Sequence, residues 1–147
     1  MITVLLVDDN GPVRESVRSL LEREDDIQVV ATASNGVDAI DKARSYRPDV
    51  AVMDISMPLM DGIEATEHIH ECCRLTRVLL ITGFDDPEHV RRALEVGAKG
   101  YVLKDKASED LLEAIHTIHR GSHYFSEKIA KIAARYLPPK GNDSSAV

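Results

Sequence analysis

Five short, branched apolar runs alternate with five segments of helical periodicity, and this alternation restricts the possible folds more than any other feature of the chain. The runs are ITVLLV (2–7), IQVVATA (27–33), DVAVM (49–53), RVLLIT (77–82) and KGYVLK (99–104). Strands that are apolar on both faces need cover on both sides. The intervening segments supply it. Residues 12–24 carry Val13, Val17, Leu20 and Leu21 on one helical face, with Pro12 in the first turn, where its missing N–H costs nothing. Residues 36–46 present Val37, Ile40 and Ala43, and residues 63–72 form a third helix. A fourth begins at Pro87, capped by Asp85 or Asp86, with Val90 and Leu94 inward. The fifth, 108–120, buries Leu111, Leu112, Ile115 and Ile118 and has Ser108 as its cap.

The pattern predicts an α/β fold, an open parallel sheet with right-handed crossovers and helices on both faces. A closed eight-stranded barrel needs far more than 147 residues. After residue 121 the alternation stops. Residues 126–137 predict one further helix, carrying Ile129, Ile132, Ala133 and Tyr136, with no strand to return to. PPKGNDSSAV then reads as a flexible tail or linker. The expected division is a domain over residues 1–121 and an extension over 122–147.

A formal net charge of −7 gives no general electrostatic attraction to nucleic acid or anionic membrane. No apolar stretch is long enough to span a bilayer. No secretory signal precedes the first strand, and Cys72 and Cys73 are adjacent, unable to staple distant parts of a fold. A cytoplasmic location with reduced thiols is the expectation.

In a parallel sheet the carboxyl ends of all strands meet at one edge, where ligand sites form. Strand one ends in Asp8 and Asp9, strand three in Asp54, strand four in Thr82 and strand five in Lys104. Three crowded carboxylates repel one another and call for a cation. All-oxygen ligands favour Mg²⁺, or Mn²⁺ at similar sites. A lysine opposite can pair with a phosphoryl oxygen, and a threonine hydroxyl can donate to another. These are parts for phosphoryl transfer, and Asp54 is the best candidate nucleophile.

The motifs VDD (7–9), MDISMPLMDG (53–62), LLITG (79–83) and GAKGYVLKD (97–105) resemble the receiver domain of two-component response regulators. The likeness runs from residue 2 to about residue 120. Within the family, VRESVRSLLE, GYVLKD and GSHYFSEKIAKIA resemble regulators with a helix-turn-helix DNA-binding output domain. The resemblance implies a doubly wound five-stranded sheet of order 2-1-3-4-5. It implies that Asp54 accepts a phosphoryl group from a phosphohistidine on a sensor histidine kinase. It implies metal ligation by Asp9 directly, by Asp8 often through water, by Asp54, and by the backbone carbonyl of Ser56. Lys104 matches the phosphate-pairing lysine, Thr82 the hydroxyl that closes on the phosphoryl group, and Tyr101 the aromatic that turns inward with it. A strand aromatic half covering the sheet edge is the plainer reading of Tyr101. Ser56 and Phe84 stand at two positions that tune phosphoryl lifetime, and the bulk of Phe84 predicts slow self-hydrolysis. Asp105 replaces the proline that follows the lysine in much of the family, so the isomer of the Lys104–Asp105 bond is open.

No helix-turn-helix module appears in the chain itself, so DNA would be bound only through an output domain elsewhere. A stand-alone receiver or phosphorelay carrier is a second reading. A Mg²⁺-dependent phosphatase with an aspartate nucleophile is a third, although Ser56 occupies the place where such an enzyme needs a second acid. Self-association on phosphorylation would use the face of helices four and five or the 126–137 helix. Pro58 and Gly62 shape the loop beside Asp54, with Gly62 a candidate for positive φ. His116 and His119 read as partly exposed helix residues, not as a metal pair.

Overall fold

The computed structural model describes residues 1–83 and 85–137. Phe84 and the 138–147 tail lie outside the described residues. Chain order is β1 (Ile2–Val7), α1 (Gly11–Glu22), β2 (Ile27–Ala33), α2 (Gly36–Tyr46), β3 (Val50–Asp54), α3 (Gly62–Cys72), β4 (Arg77–Thr82), α4 (Pro87–Glu95), β5 (Gly100–Leu103), α5 (Ala107–His119), β6 (Tyr124–Phe125) and α6 (Glu127–Ala133). The strands are parallel and ordered β2-β1-β3-β4-β5-β6. The first five follow the expected doubly wound order.

β6 corrects the expectation that the extension has no strand to return to. Two residues are too few to carry a period, and their pairing with Gly100 and Tyr101 is dictated by the open edge of β5. That edge would otherwise present unpaired backbone groups.

Because successive strand residues face opposite sides, the sheet splits its apolar residues into two cores. Leu5, Val7, Ala51, Met53 and Leu80 face α2, α3, α4 and α6. Val4, Leu6, Val52, Leu79 and Val102 face α1 and α5. In α5 the expected stripe is present: Leu111, Ile115 and Ile118 are fully buried and Leu112 packs at the margin.

Two apolar positions expected inward are exposed: Val13 at 38% and Val37 at 51%. Each sits in the first turn of its helix, beyond the carboxyl end of the sheet, where little apolar surface lies beneath it. Leu21 and Ala43 of the expected faces are buried, and Ala39 joins them in α2.

The helix starts follow capping chemistry. Asn10 accepts the Val13 N–H at 3.0 Å, which frees Asp8 and Asp9 from a capping role on α1. Asn35, Asp61 and Asp86 cap α2, α3 and α4. Ser108 does not cap α5. The helix begins one residue earlier, and a 3₁₀ turn over Lys104–Lys106 leads straight into it without a side-chain cap.

Candidate functional site

Strand register brings the candidates together. Val7 pairs with Met53, so the next residues along, Asp8 and Asp54, fall side by side. Asp54 pairs with Ile81, one residue before Thr82, and Thr82 pairs with Leu103, one residue before Lys104. The carboxylate oxygens of Asp8, Asp9 and Asp54 offer ligand atoms that all lie within 4.8 Å of one another. Asp8 and Asp54 are buried and Asp9 faces solvent.

Asp54 divides its oxygens between two donors. Oδ1 accepts the Ser56 N–H at 3.1 Å, and Oδ2 accepts Lys104 Nζ at 2.9 Å. Asp8 Oδ1 accepts the Asn10 N–H at 2.8 Å, and the Asp8 carbonyl accepts from Arg14 at 2.7 Å. Burial holds the Asp8 carboxyl above the usual carboxylate range, opposed by the Asn10 N–H and reinforced by repulsion from Asp54. For Lys104, burial disfavours the charge, but the bond to Asp54 and the field of the acids prevail and raise its pKa. Three carboxylates face one amine, leaving an excess of negative charge among oxygen ligands with one side open to water. That donor set fits a hard divalent cation.

The loop after β3 wraps tightly around Asp54. A Cβ at Gly62 would come within 2.3 Å of the Asp54 carbonyl, so the position requires glycine for close approach. Positive φ is not the reason. In this loop the left-handed residue is Leu59, at φ 72°. Met57 and Met60 pack against the core, as expected of loop residues, and Pro58 and Ser56 are exposed.

Thr82 is fully buried at the end of β4. Tyr101 is 1% exposed, which replaces the half-covered edge aromatic with an inward ring. Burial pushes its phenol up to about 12, and a hydrogen bond with the Thr82 side chain partly offsets the rise. The two groups expected to move together are thus already in contact. Phe84, the second tuning candidate, lies outside the described residues. The Lys104–Asp105 bond is trans.

Several contacts near and far carry no local signal in the sequence. Asn10 and Arg14 hold Asp8 from the start of α1. Ser126 reaches the end of β5, donated to by the Leu103 N–H at 3.0 Å. His116, set aside as a ligand, pairs through Nε2 with Asp26 at 2.7 Å. Its pKa is raised chiefly by that bond. The Cys72 and Cys73 sulfurs lie 2.8 Å apart, and burial pushes the Cys73 thiol up to about 11. A hollow of about 650 Å³ between the start of α5 and the β6–α6 segment includes none of the three acids.

Comparison with known proteins gives one family match, two relatives and two solved structures. Residues 4–116 match the model of the response regulator receiver domain. The chain is 40% identical over 121 residues to the transcriptional regulatory protein LnrK of Bacillus subtilis, covering 82% of this chain and 55% of that one. It is 38% identical over 144 residues to the oxygen regulatory protein NreC of Staphylococcus aureus, covering 97% of this chain and 66% of that one. The chain therefore spans between about half and two thirds of the length of these relatives. Among solved structures, a LuxR-family two-component response regulator from an Aurantimonas species superposes with a TM-score of 0.87 at 37% identity, over 92% of this chain and 97% of that one. The signal receiver domain of a NarL response regulator from Mycobacterium tuberculosis does so with a TM-score of 0.78 at 34% identity, over 82% of this chain and 97% of that one.

Proposed function

The chain belongs to the response regulator receiver domain family, and on that premise we propose that it is a phosphorylation switch whose acceptor is Asp54. A carboxylate oxygen of Asp54 attacks the phosphorus of a phosphohistidine on a sensor histidine kinase. The P–N bond breaks, an acyl phosphate forms, and the imidazole leaves with a proton. Lys104, now paired with Asp54 at 2.9 Å, shifts its charge to a phosphoryl oxygen. Thr82 donates its hydroxyl to another, giving up its bond to Tyr101. Asp8, Asp9, Asp54 and the carbonyl of Ser56 would hold Mg²⁺, or Mn²⁺. When bound, the ion offsets the carboxylate repulsion and neutralises charge on the phosphoryl oxygens.

The added phosphoryl group brings about 1.5–2 negative charges. Absorbing them requires the end of β4 to move, which frees Tyr101 to repack. The face of α4, β5 and α5 carries that change as a shift between two packings. Residues 1–121 form the phospho-acceptor domain in this reading, and residues 122–147 connect it to a DNA-binding output segment of a longer protein. Ser56 and Phe84 tune the lifetime of the acyl phosphate. The partners are a cytoplasmic kinase domain and, after phosphorylation, a second copy of the chain. The names of the relatives support the transcriptional role. Among the described residues no helix is long and apolar enough to cross a membrane.

One observation carries the proposal: a buried carboxylate at the end of β3 that meets two further acids from the end of β1 and a lysine from the end of β5. Incubation with acetyl phosphate and Mg²⁺, followed by intact mass, tests it. The expected result is one phosphoryl adduct that is absent from Asp54→Asn. An adduct of undiminished yield in that variant refutes the assignment.

A further inference from the structure

Ser126 lies outside every motif of the phosphoryl site, yet its backbone and side chain close the edge of the strand that delivers Lys104. β6 lies parallel to β5, and the Tyr124 N–H donates to the Lys99 carbonyl at 3.0 Å. The Ser126 N–H continues this ladder by donating to the Tyr101 carbonyl at 3.1 Å. In a regular parallel ladder the Ser126 carbonyl would next accept the Leu103 N–H. That carbonyl is already committed to α6, where it accepts the Ala130 N–H at 2.8 Å. The Ser126 hydroxyl takes its place. It accepts the Leu103 N–H at 3.0 Å and donates to Asp110 of α5 at 3.3 Å.

Ser126 is 2% exposed and Leu103 is 9% exposed, so solvent has little access to these bonds. The close approach of β6 also depends on Gly100. A Cβ there would come within 2.5 Å of Leu79 and 3.1 Å of the Tyr124 carbonyl.

Leu103 immediately precedes Lys104. We propose that Ser126 is a positioning residue for phosphoryl transfer: its hydroxyl pins the end of β5 to α5, so that the chain leaves the sheet with Lys104 directed at Asp54. This rests on the receiver reading given above and extends the site into the segment after residue 121. Without the hydroxyl, the Leu103 N–H has no partner. The end of β5 then frays, and Lys104 samples positions off the phosphoryl oxygen. Ser126 touches no reacting atom and acts only through Leu103 and Lys104.

The test uses the full chain with acetyl phosphate and Mg²⁺. In Ser126→Ala the maximal phosphorylation rate should fall roughly tenfold, within the range that a misplacement of about 1 Å can cost. The half-saturating donor concentration should stay near that of the parent, because the loss is in orientation. Hydrogen exchange at the Leu103 amide should quicken. Ser126→Thr retains the hydroxyl and should restore most of the rate. Ala133→Gly loosens α6 without touching the hydroxyl and should leave the rate near that of the parent.

The inference is overturned if folded Ser126→Ala reacts at the parent rate, or if Ala133→Gly slows the reaction as much. If Ser126→Ala does not fold, the Thr and Gly variants decide: a slow Thr variant or a slow Gly variant overturns it. An adduct that persists in Asp54→Asn removes the receiver assignment instead. A parent-like Ser126→Ala rate beside an adduct lost in Asp54→Asn removes only the role of Ser126.

Discussion

Among the described residues, two ion pairs join distant parts of the chain at nearly the same distance, and they have little else in common. Lys104 reaches Asp54 at 2.9 Å, and His116 reaches Asp26 at 2.7 Å. The side chain of Asp54 is 2% exposed and that of Asp26 is 55% exposed. Asp54 has further acids beside it, so its lysine offsets a local excess of charge. Asp26 sits in the turn before β2, where water screens it. Contact distance therefore says little about the weight of a pair; burial and the surrounding charges decide it.

The largest expected effect belongs to the pair with the buried carboxylate. Lys104→Ala should slow phosphorylation by acetyl phosphate about a hundredfold, the scale of losing one oriented electrostatic partner in a transition state. Stopped-flow or mass-based rates measure it. A loss under threefold would place Lys104 in the same class as His116 and dissolve the contrast.

Cation binding should come next. At a free Mg²⁺ concentration of 100 times Kd, the unfolding free energy should rise by about 2.7 kcal/mol, read from urea melts. Asp9→Asn should weaken the dependence, and Asp26→Asn should leave it intact. Equal Mg²⁺ stabilisation of the parent and Asp9→Asn would take the metal away from the acid cluster.

A smaller effect concerns the burial of Asp8. The pKa of Asp8 is raised above its ordinary value of 3.8, chiefly by burial. The folded state therefore holds that proton more tightly than the unfolded one. The contribution is fully present below pH 3.8 and is lost as pH rises through the raised folded value. At neutral pH, Asp8→Asn should stabilise the cation-free protein by about 1 kcal/mol, with the gain shrinking in acid. Destabilisation at neutral pH would mean that the Asn10 N–H bond outweighs burial.

The smallest effect belongs to the exposed pair. The pKa of His116 is raised above 6.5, first by its bond to Asp26. Its stabilising contribution is complete below pH 6.5 and is lost as pH rises through the folded value. The difference in stability between the parent and His116→Gln should narrow over that window and fade in high salt. A difference flat from pH 5 to 9 would remove the ionic character of the pair.

Legibility in the sequence follows a physical division. Asp8, Asp9, Asp54, Thr82 and Lys104 were readable because each directly follows or ends an apolar run, and parallel strands bring all such ends to one edge. Tyr101 was readable as a candidate, but its inward, Thr82-bonded position was not, since a strand aromatic has two faces and a rotamer to choose. Val13 and Val37 followed a correct helical period yet lie past the edge of the sheet. The Ser108 cap failed because a 3₁₀ turn starts the helix from the preceding strand. Gly62 was flagged for its turn chemistry, whereas its actual constraint is the Asp54 carbonyl 2.3 Å from a hypothetical Cβ.

Local order in the chain, a period of apolar residues and the acids that punctuate it, was enough to determine the parallel α/β architecture, the strand order once the family likeness was seen, and the edge at which the acids gather. Tertiary structure alone decided β6, the Ser126 bonds, the Asp26–His116 pair and the depth at which each carboxylate sits. Periodicity reports which face of an element is apolar, but these features depend on which backbone groups and charges are left unpaired once the elements have packed. That remainder exists only in the assembled fold.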